Sequence, residues 1–202
     1  MSNKQLLIKT ILISAIFFIS NIFAVEMEEG VHYDIVSARK SDSKVVKEYF
    51  NYGCPGCYKS EPLVKMIENS LPEDASLQSV PFENHAGWRI YVEAFYIAEM
   101  LGILDKAHEA LFHQVHVEKK AIANKDQLKT LFVKLGADEK RFDQAANSFQ
   151  LNSKLRLARK EAMSHKILST PSFVVNDYYR INAQAFKSNK DLVDGINELL
   201  QR

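Results

Sequence analysis

Strand character in this chain is confined to its two flanks, and that split constrains the fold more than any other feature of the 202 residues. Residues 44–52 read KVVKEYFNY, β-branched and aromatic, and stop at Gly53. Residues 31–36 alternate Val31, Tyr33 and Ile35 with other side chains, as an edge strand does, and residues 77–82 make a third strand. Between them, residues 57–70 predict a helix with Leu63, Val64 and Ile67 on one face. Pro55 suits its first turn, and Pro62 predicts a kink. From Gly87 to Lys166 the strand signal all but disappears. Residues 90–101 and 104–116 are amphipathic at helical spacing. Asn124 with Gln127 caps a helix over 125–135 that Gly136 stops. Asp138 caps a short helix to about residue 148, and residues 151–167 predict a long one. After Thr170-Pro171 the sheet pattern returns in Ser172-Phe-Val-Val175, with a turn at Asn176-Asp177, a hairpin partner over 178–181 and a last helix over 191–200. The two flanks complete each other. The expected architecture is one α/β domain made of residues 25–84 and 153–202, with an all-helical domain, 85–152, inserted into it.

Residues 1–24 read as a secretory signal peptide: Lys4 and Lys9, then an apolar run from Ile11 to Ile19, then a plausible cleavage point after Ala24. The run is shorter than the ~20 residues of a spanning helix, so no stable membrane insertion is expected after cleavage. The chain carries 26 basic and 25 acidic residues, a balance that offers no field for nucleic acid. A hydrophobic share of 47% with 7 Gly and 5 Pro excludes a disordered or collagen-like chain. No Ser-His-Asp arrangement, phosphate loop or nucleotide fingerprint is present.

There are only two cysteines, Cys54 and Cys57, spaced as Cys-Pro-Gly-Cys between the strongest strand and the first helix. Two cysteines cannot make a disulfide framework or a four-cysteine zinc site. Two intervening residues, Pro55 and Gly56, bring the sulfurs within one turn. A helix start supplies unpaired N–H groups and the positive end of the dipole, which favour a thiolate at Cys54. Cys57 lies a turn further in. Cys54 therefore reads as the exchange residue and Cys57 as the resolving one. Half of a zinc ribbon and a structural tiny-loop disulfide are the competing readings of the same spacing.

Two segments, Glu48-Tyr-Phe-Asn-Tyr-Gly-Cys54-Pro-Gly-Cys57-Tyr58 and Leu168-Ser-Thr170-Pro171-Ser172-Phe173-Val174-Val175-Asn176, resemble the DsbA family of bacterial thiol:disulfide oxidoreductases. Residues 98–102 and 142–149 of the helical block are similar to it too, and the resemblance spans about 29–200. It implies a thioredoxin-like fold with the helical insertion. It also implies a periplasmic enzyme that introduces disulfides into reduced exported proteins, reoxidised by a membrane oxidase of the DsbB type. It matches Cys54 and Cys57 to the active-site pair and Pro171 to a cis-proline facing it, with the Thr170 backbone left for a substrate strand. Glu48 matches a buried acid that helps move protons to Cys57; a partly exposed strand carboxylate is the plainer reading. Glu61 matches a second acid, against a solvated helix face. The chain departs from the best-known members in two places: Gly56 stands where they have histidine, which predicts a less acidic Cys54, and Thr170 stands where they have valine. A reductase or isomerase of the same fold, or a chaperone-like binding module, are the alternative functions. The segment before the fold leaves no space for the N-terminal dimerisation domain of the isomerases.

No organic or metal cofactor is expected. His108, His113 and His116 share one helical segment without a partner ligand that completes a metal site. His85 and His165 read as structural or exposed. Trp88, Phe95 and Phe112 read as core or as lining for a substrate surface.

Overall fold

The apolar strand before the cysteines becomes the axis of the sheet. The computed structural model describes residues 26–85 and 87–202. The expected signal peptide over 1–24 lies outside the described residues. Strands β1 (Tyr33–Ile35), β2 (Lys44–Phe50), β3 (Ala75–Pro81), β4 (Ser172–Val175) and β5 (Tyr179–Ile181) form one sheet in the order β1-β5-β4-β2-β3. β2 pairs in parallel with β3 and antiparallel with β4, so Glu48 lies opposite Ser79 on one side and Phe173 on the other. The edge position expected for residues 31–36 is occupied by β1, which is antiparallel to β5.

Period-two alternation sorts β2 onto two faces. Val46 packs with Leu63, Val64 and Ile67 of helix α1 (Pro55–Ser70) and with Leu192, Ile196 and Leu199 of helix α7 (Asn189–Gln201). Tyr49 packs on the other face with Ala158 and Ala162 of helix α6 (Phe149–Ser164). The sheet is thus covered by helices on both sides. Pro62 lies inside α1, which continues through it to Ser70.

The central segment is helical, as its sequence predicts: α2 (Arg89–Leu101), α3 (Leu104–Phe112), α4 (Lys125–Lys134) and α5 (Glu139–Ala146). Asn124 Oδ1 accepts from Gln127 N–H at 3.0 Å, and Asp138 Oδ1 accepts from Arg141 N–H at 2.8 Å. Gly136 follows α4 at φ +98°, a conformation that a Cβ would strain. The second expected helix differs. Its regular part ends at Phe112, and His113–Val117 forms a π-helical turn. The wider turn directs His116 back toward the cysteine loop, where its Nε2 donates to the Tyr52 carbonyl at 2.8 Å.

These helices close a core that reaches into the sheet. Leu111, Leu128, Phe132 and Phe142 are fully buried there, and the same cluster takes in Phe50, Tyr52 and both cysteines. Helix α6 spans the seam: Leu151 and Leu155 face this core, while Ala158 and Ala162 face the sheet.

The link from β2 to α1 is held by a buried asparagine. Asn51 has no exposed surface. Its Nδ2 donates to the Phe82 carbonyl at 2.9 Å and the Trp88 carbonyl at 3.4 Å, its Oδ1 accepts from Gly53 N–H at 2.9 Å, and its own carbonyl accepts from Cys54 N–H at 3.0 Å. Replacing Asn51 by alanine removes the partners of the Phe82 carbonyl and the Gly53 amide. Asn51→Ala should lower unfolding stability by roughly 1–3 kcal/mol, read by urea titration of the reduced protein.

Candidate active site

Cys54 is the N-cap of α1. Its backbone is extended (φ −85°, ψ 114°), and its Sγ accepts from Cys57 N–H at 3.3 Å, the role an oxygen plays at most helix starts. Pro55 occupies the first helical position, where no N–H is needed. Both cysteines are buried, Cys57 completely and Cys54 with 6% of its surface left exposed.

The pair is electrostatically polarised. A hydrogen bond from the Cys57 thiol, the Thr170 side chain and the N–H groups of Cys57 and Gly56 hold the Cys54 thiol down at about 5, against the opposing effect of burial. Cys57 is driven the other way, well above the ordinary thiol range, because it donates to Cys54 and is buried. With glycine at position 56 the helix start and its donors still leave Cys54 an acidic thiol.

Thr170-Pro171 is a cis peptide bond, and its loop packs against the cysteine turn. Cys54 Sγ lies 3.4 Å from the Thr170 carbonyl oxygen. The approach is close enough that a Cβ on Gly56 would stand 3.3 Å from Pro171 Cδ. Gly53 is tighter still: a Cβ there would meet the Trp88 indole nitrogen at 2.8 Å. Trp88 is therefore half-buried against the loop, whereas Phe95 and Phe112 belong to the helical core.

Beneath the cysteines lies a set of polar groups. Glu48 is 1% exposed, and neither carboxylate oxygen has a hydrogen bond. Burial first, then the charges of Glu61 and Cys54, push its carboxyl up to about 8, which the Ser79 side chain offsets in part. Glu61 follows Cys57 by four residues on α1 and so shares its face. It is neither fully solvated nor fully enclosed: Oε1 is buried and unpaired, and Oε2 accepts from His108 Nε2 at 3.1 Å. The Tyr52 hydroxyl and His108 Nδ1 are hydrogen-bonded at 3.1 Å. Around the loop, Tyr58 stacks on His116 at 5.0 Å between centroids and 10° between planes.

The structure thus brings Cys54, Pro55, Gly56, Cys57, Thr170 and Pro171 into one loop pair, with Glu48 and Glu61 below. Asn51, Tyr52, His108 and His116 join them unforeseen. For Asn51 the available signal was a polar residue inside the apolar run Tyr49-Phe-Asn-Tyr52; for the histidines, which are distant in sequence, none existed. His165 is buried, and the Tyr49 hydroxyl bonds its Nδ1 at 2.6 Å. Glu161, His165 and Asp177 bring ligand atoms within 4.8 Å of one another on the α6 face of the sheet. Lys47 Nζ already pairs with both carboxylates there, at 2.7 Å from Asp177, so an ammonium fills the place a cation would take.

The chain is similar to known proteins in sequence and in fold. The DSBA-like thioredoxin domain family matches residues 89–195. A thiol:disulfide interchange protein DsbA of Azotobacter vinelandii is 34% identical over 137 residues, covering 68% of this chain and 64% of its own length. The DsbA of Haemophilus influenzae is 30% identical over 190 residues, 90% of this chain and 91% of its own. The crystal structure of a point variant of Pseudomonas aeruginosa DsbA superposes with a TM-score of 0.81 at 25% identity, covering 87% of this chain and 97% of that one. By fold and by sequence, this chain belongs to the DsbA family of thioredoxin-fold oxidoreductases.

Proposed function

We propose that the protein is a periplasmic thiol:disulfide oxidoreductase that introduces disulfides into reduced exported proteins through Cys54 and Cys57. The observation that carries this reading is the opposed state of the two thiols. Cys54 keeps a small exposed fraction and is acidic; Cys57 is enclosed and held protonated. In the oxidised enzyme a substrate thiolate attacks Cys54 Sγ. The Cys54–Cys57 bond breaks, and the electron pair stays on Cys57, which takes a proton. A second substrate thiolate then attacks the substrate sulfur, and Cys54 departs as a thiolate. A low leaving-group pKa speeds that departure. The products are a substrate disulfide and a reduced enzyme, whose electrons pass to a membrane oxidase of the DsbB type.

The remaining residues have supporting parts in this reading. Thr170 and Pro171 border Cys54 and offer backbone to a substrate strand, while Pro55 and Gly56 keep the loop narrow. Glu48 exchanges protons with Cys57, and Glu61 stands behind it. Residues 85–152 act as an inserted helical domain between 25–84 and 153–202, a division favoured by their helical content, although their core takes in Phe50, Tyr52 and both cysteines and α6 crosses the second boundary. Among the described residues no helix is long and apolar enough to cross a membrane. That agrees with a chain released by cleavage of a signal over residues 1–24.

Three measurements test the proposal. The reduction potential of the Cys54–Cys57 pair should lie well above the ~−270 mV of thioredoxin; a value at that level refutes the oxidase and favours a reductase. Cys54→Ser should abolish disulfide formation in reduced ribonuclease, and activity retained in that variant favours the chaperone-like alternative. The reduced enzyme should alkylate at Cys54 with an apparent pKa of about 5.

The signs of the linked stabilities follow. The folded pKa of Cys54 is depressed, so its contribution to the reduced form is complete above the unfolded thiol pKa of ~8.5 and is lost as pH falls toward about 5. Glu48 is raised, so its penalty grows as pH climbs from the ordinary carboxylate range toward about 8. Glu48→Gln should therefore gain stability over wild type as pH rises through that window, by chemical denaturation at matched pH.

A further inference from the structure

We propose that the outer face of α6 is a peripheral docking surface for a membrane rich in anionic phospholipid, and that a cavity lined by three arginines beside it receives the lipid phosphates. The dithiol chemistry makes no use of this face.

Helical spacing gives α6 two unlike sides. Leu151, Ala158 and Ala162 are buried against the helical core and the sheet. On the opposite side, at 3.6 residues per turn, positions 149, 156, 160 and 163 fall within about 60° of one another. They are Phe149, Arg156, Lys160 and Met163, with Leu157 and Arg159 flanking them. The outward side of a helix that faces water is ordinarily polar. Here Phe149 is 78% exposed, Met163 68% and Leu157 63%. The cations between them have no acid to pair with. Arg156 donates to the Ser153 hydroxyl at 3.0 Å and lies over the Phe149 ring at 5.5 Å. Arg159 and Lys160 have no acidic partner among the described residues. The one acid of α6, Glu161, is already paired with Lys47.

Arg156 and Arg159 also line a cavity of about 380 Å³ between the end of β3, the start of α2 and α6. Arg89 lines it from α2 and gives its Nε to Glu93 at 3.1 Å, while Val92 and Leu155 supply apolar wall. Three guanidiniums against one lining carboxylate, Glu83, favour an anion, and the guanidinium fork matches phosphate oxygens. The mixture of residues identifies the occupant. A protein interface gathers its apolar side chains into a core and is poor in lysine. On α6 apolar and cationic side chains are interleaved instead. That is the pattern of a helix lying in a bilayer interface, where Phe, Leu and Met enter the headgroup boundary and Arg and Lys pair with anionic lipid. Leu168, 84% exposed, stands between the end of α6 and Thr170, whose carbonyl lies against Cys54. A docked α6 therefore holds the cysteine loop near the lipid surface.

The test uses the chain without residues 1–24, because every described element lies beyond them. Its sedimentation with vesicles of phosphatidylglycerol and phosphatidylethanolamine is compared with vesicles of phosphatidylcholine alone. It should bind the first, less tightly as salt rises, and leave the second in solution. Arg159→Glu combined with Lys160→Glu should lower binding tenfold or more, since each surface cation contributes about fivefold at an anionic membrane. Phe149→Ser combined with Leu157→Ser should lower it severalfold and keep the salt dependence. Both variants should keep the wild-type melting temperature and the wild-type rate of disulfide formation in reduced ribonuclease in solution. Absence of binding, or equal binding to phosphatidylcholine, overturns the proposal. Binding that the serine variant leaves intact, or that inorganic phosphate abolishes when sodium chloride of equal ionic strength does not, marks a site for a soluble anion or an acidic chain and overturns it too. So does dimerisation in solution that the serine variant removes, because it assigns the face to a second copy.

Discussion

The cysteine site depends on the turn that Asn51 holds together. A helix-start thiolate needs the strand to end, the chain to reverse and the helix to begin within four residues. That turn buries backbone groups with no sheet or helix partners of their own. Asn51 answers with both ends of its amide and its own carbonyl, tying Gly53 and Cys54 inward and reaching across to the Phe82 and Trp88 carbonyls. The Phe82 and Trp88 contacts matter beyond the turn. They fasten the cysteine loop to the segment that leads into α2, so sheet and helical block meet at one buried side chain. Trp88 then lies close enough to Gly53 that no larger residue fits there.

From that turn the charge asymmetry follows. The same N–H groups that begin α1 face Cys54, and the same geometry directs the Cys57 thiol at Cys54 rather than at water. Donors dominate at Cys54, whereas at Cys57 the bond it gives to Cys54 and its burial outweigh the Asn51 backbone and Thr170 side chain. Burying Cys57 together with Glu48 beneath the loop then creates a proton problem, since neither group touches solvent. Tyr52, His108 and Glu61 are hydrogen-bonded in a row beside them, and Glu61 and His108 are each partly exposed. The helical block thus does more than cover an aromatic patch: Phe50 and Tyr52 pack edge-on to each other, Tyr52 does the same to Phe112, and His108 and His116 come from the same stretch of chain.

Much of this was legible in the sequence because local signals carried it. The strand at 44–52, the helix after the cysteines, the caps at Asn124 and Asp138 and the stop at Gly136 are each fixed by residues a few positions apart. The cis bond at Thr170-Pro171 came by resemblance, and β4 begins directly after it. Less legible were the ends and interruptions. The helix read over 104–116 is interrupted by a π-helical turn, since its periodicity is nearly unchanged by the one extra residue that such a turn absorbs. The ion-pair cluster of Lys47, Glu161 and Asp177 joins three segments more than a hundred residues apart at its extremes, and His165 bonded to Tyr49 ties the first two of them together again. No spacing rule predicts such meetings.

The sequence by itself determined which elements form, where the two cysteines stand relative to strand and helix, and that Cys54 precedes Cys57 into the helix. These follow from hydrophobic period, capping residues and the conformational limits of proline and glycine, all local properties of the chain. Only the tertiary structure decided which side chains surround the sulfurs. Glu48 became an unpaired buried acid because β2 runs beneath α1. Glu61 became half enclosed because α3 lies across it. His108 came to face it because the helical block folds back onto the strand end. Burial and proximity between distant segments set the energetics of those groups, and both are properties of packing, which no single stretch of sequence contains.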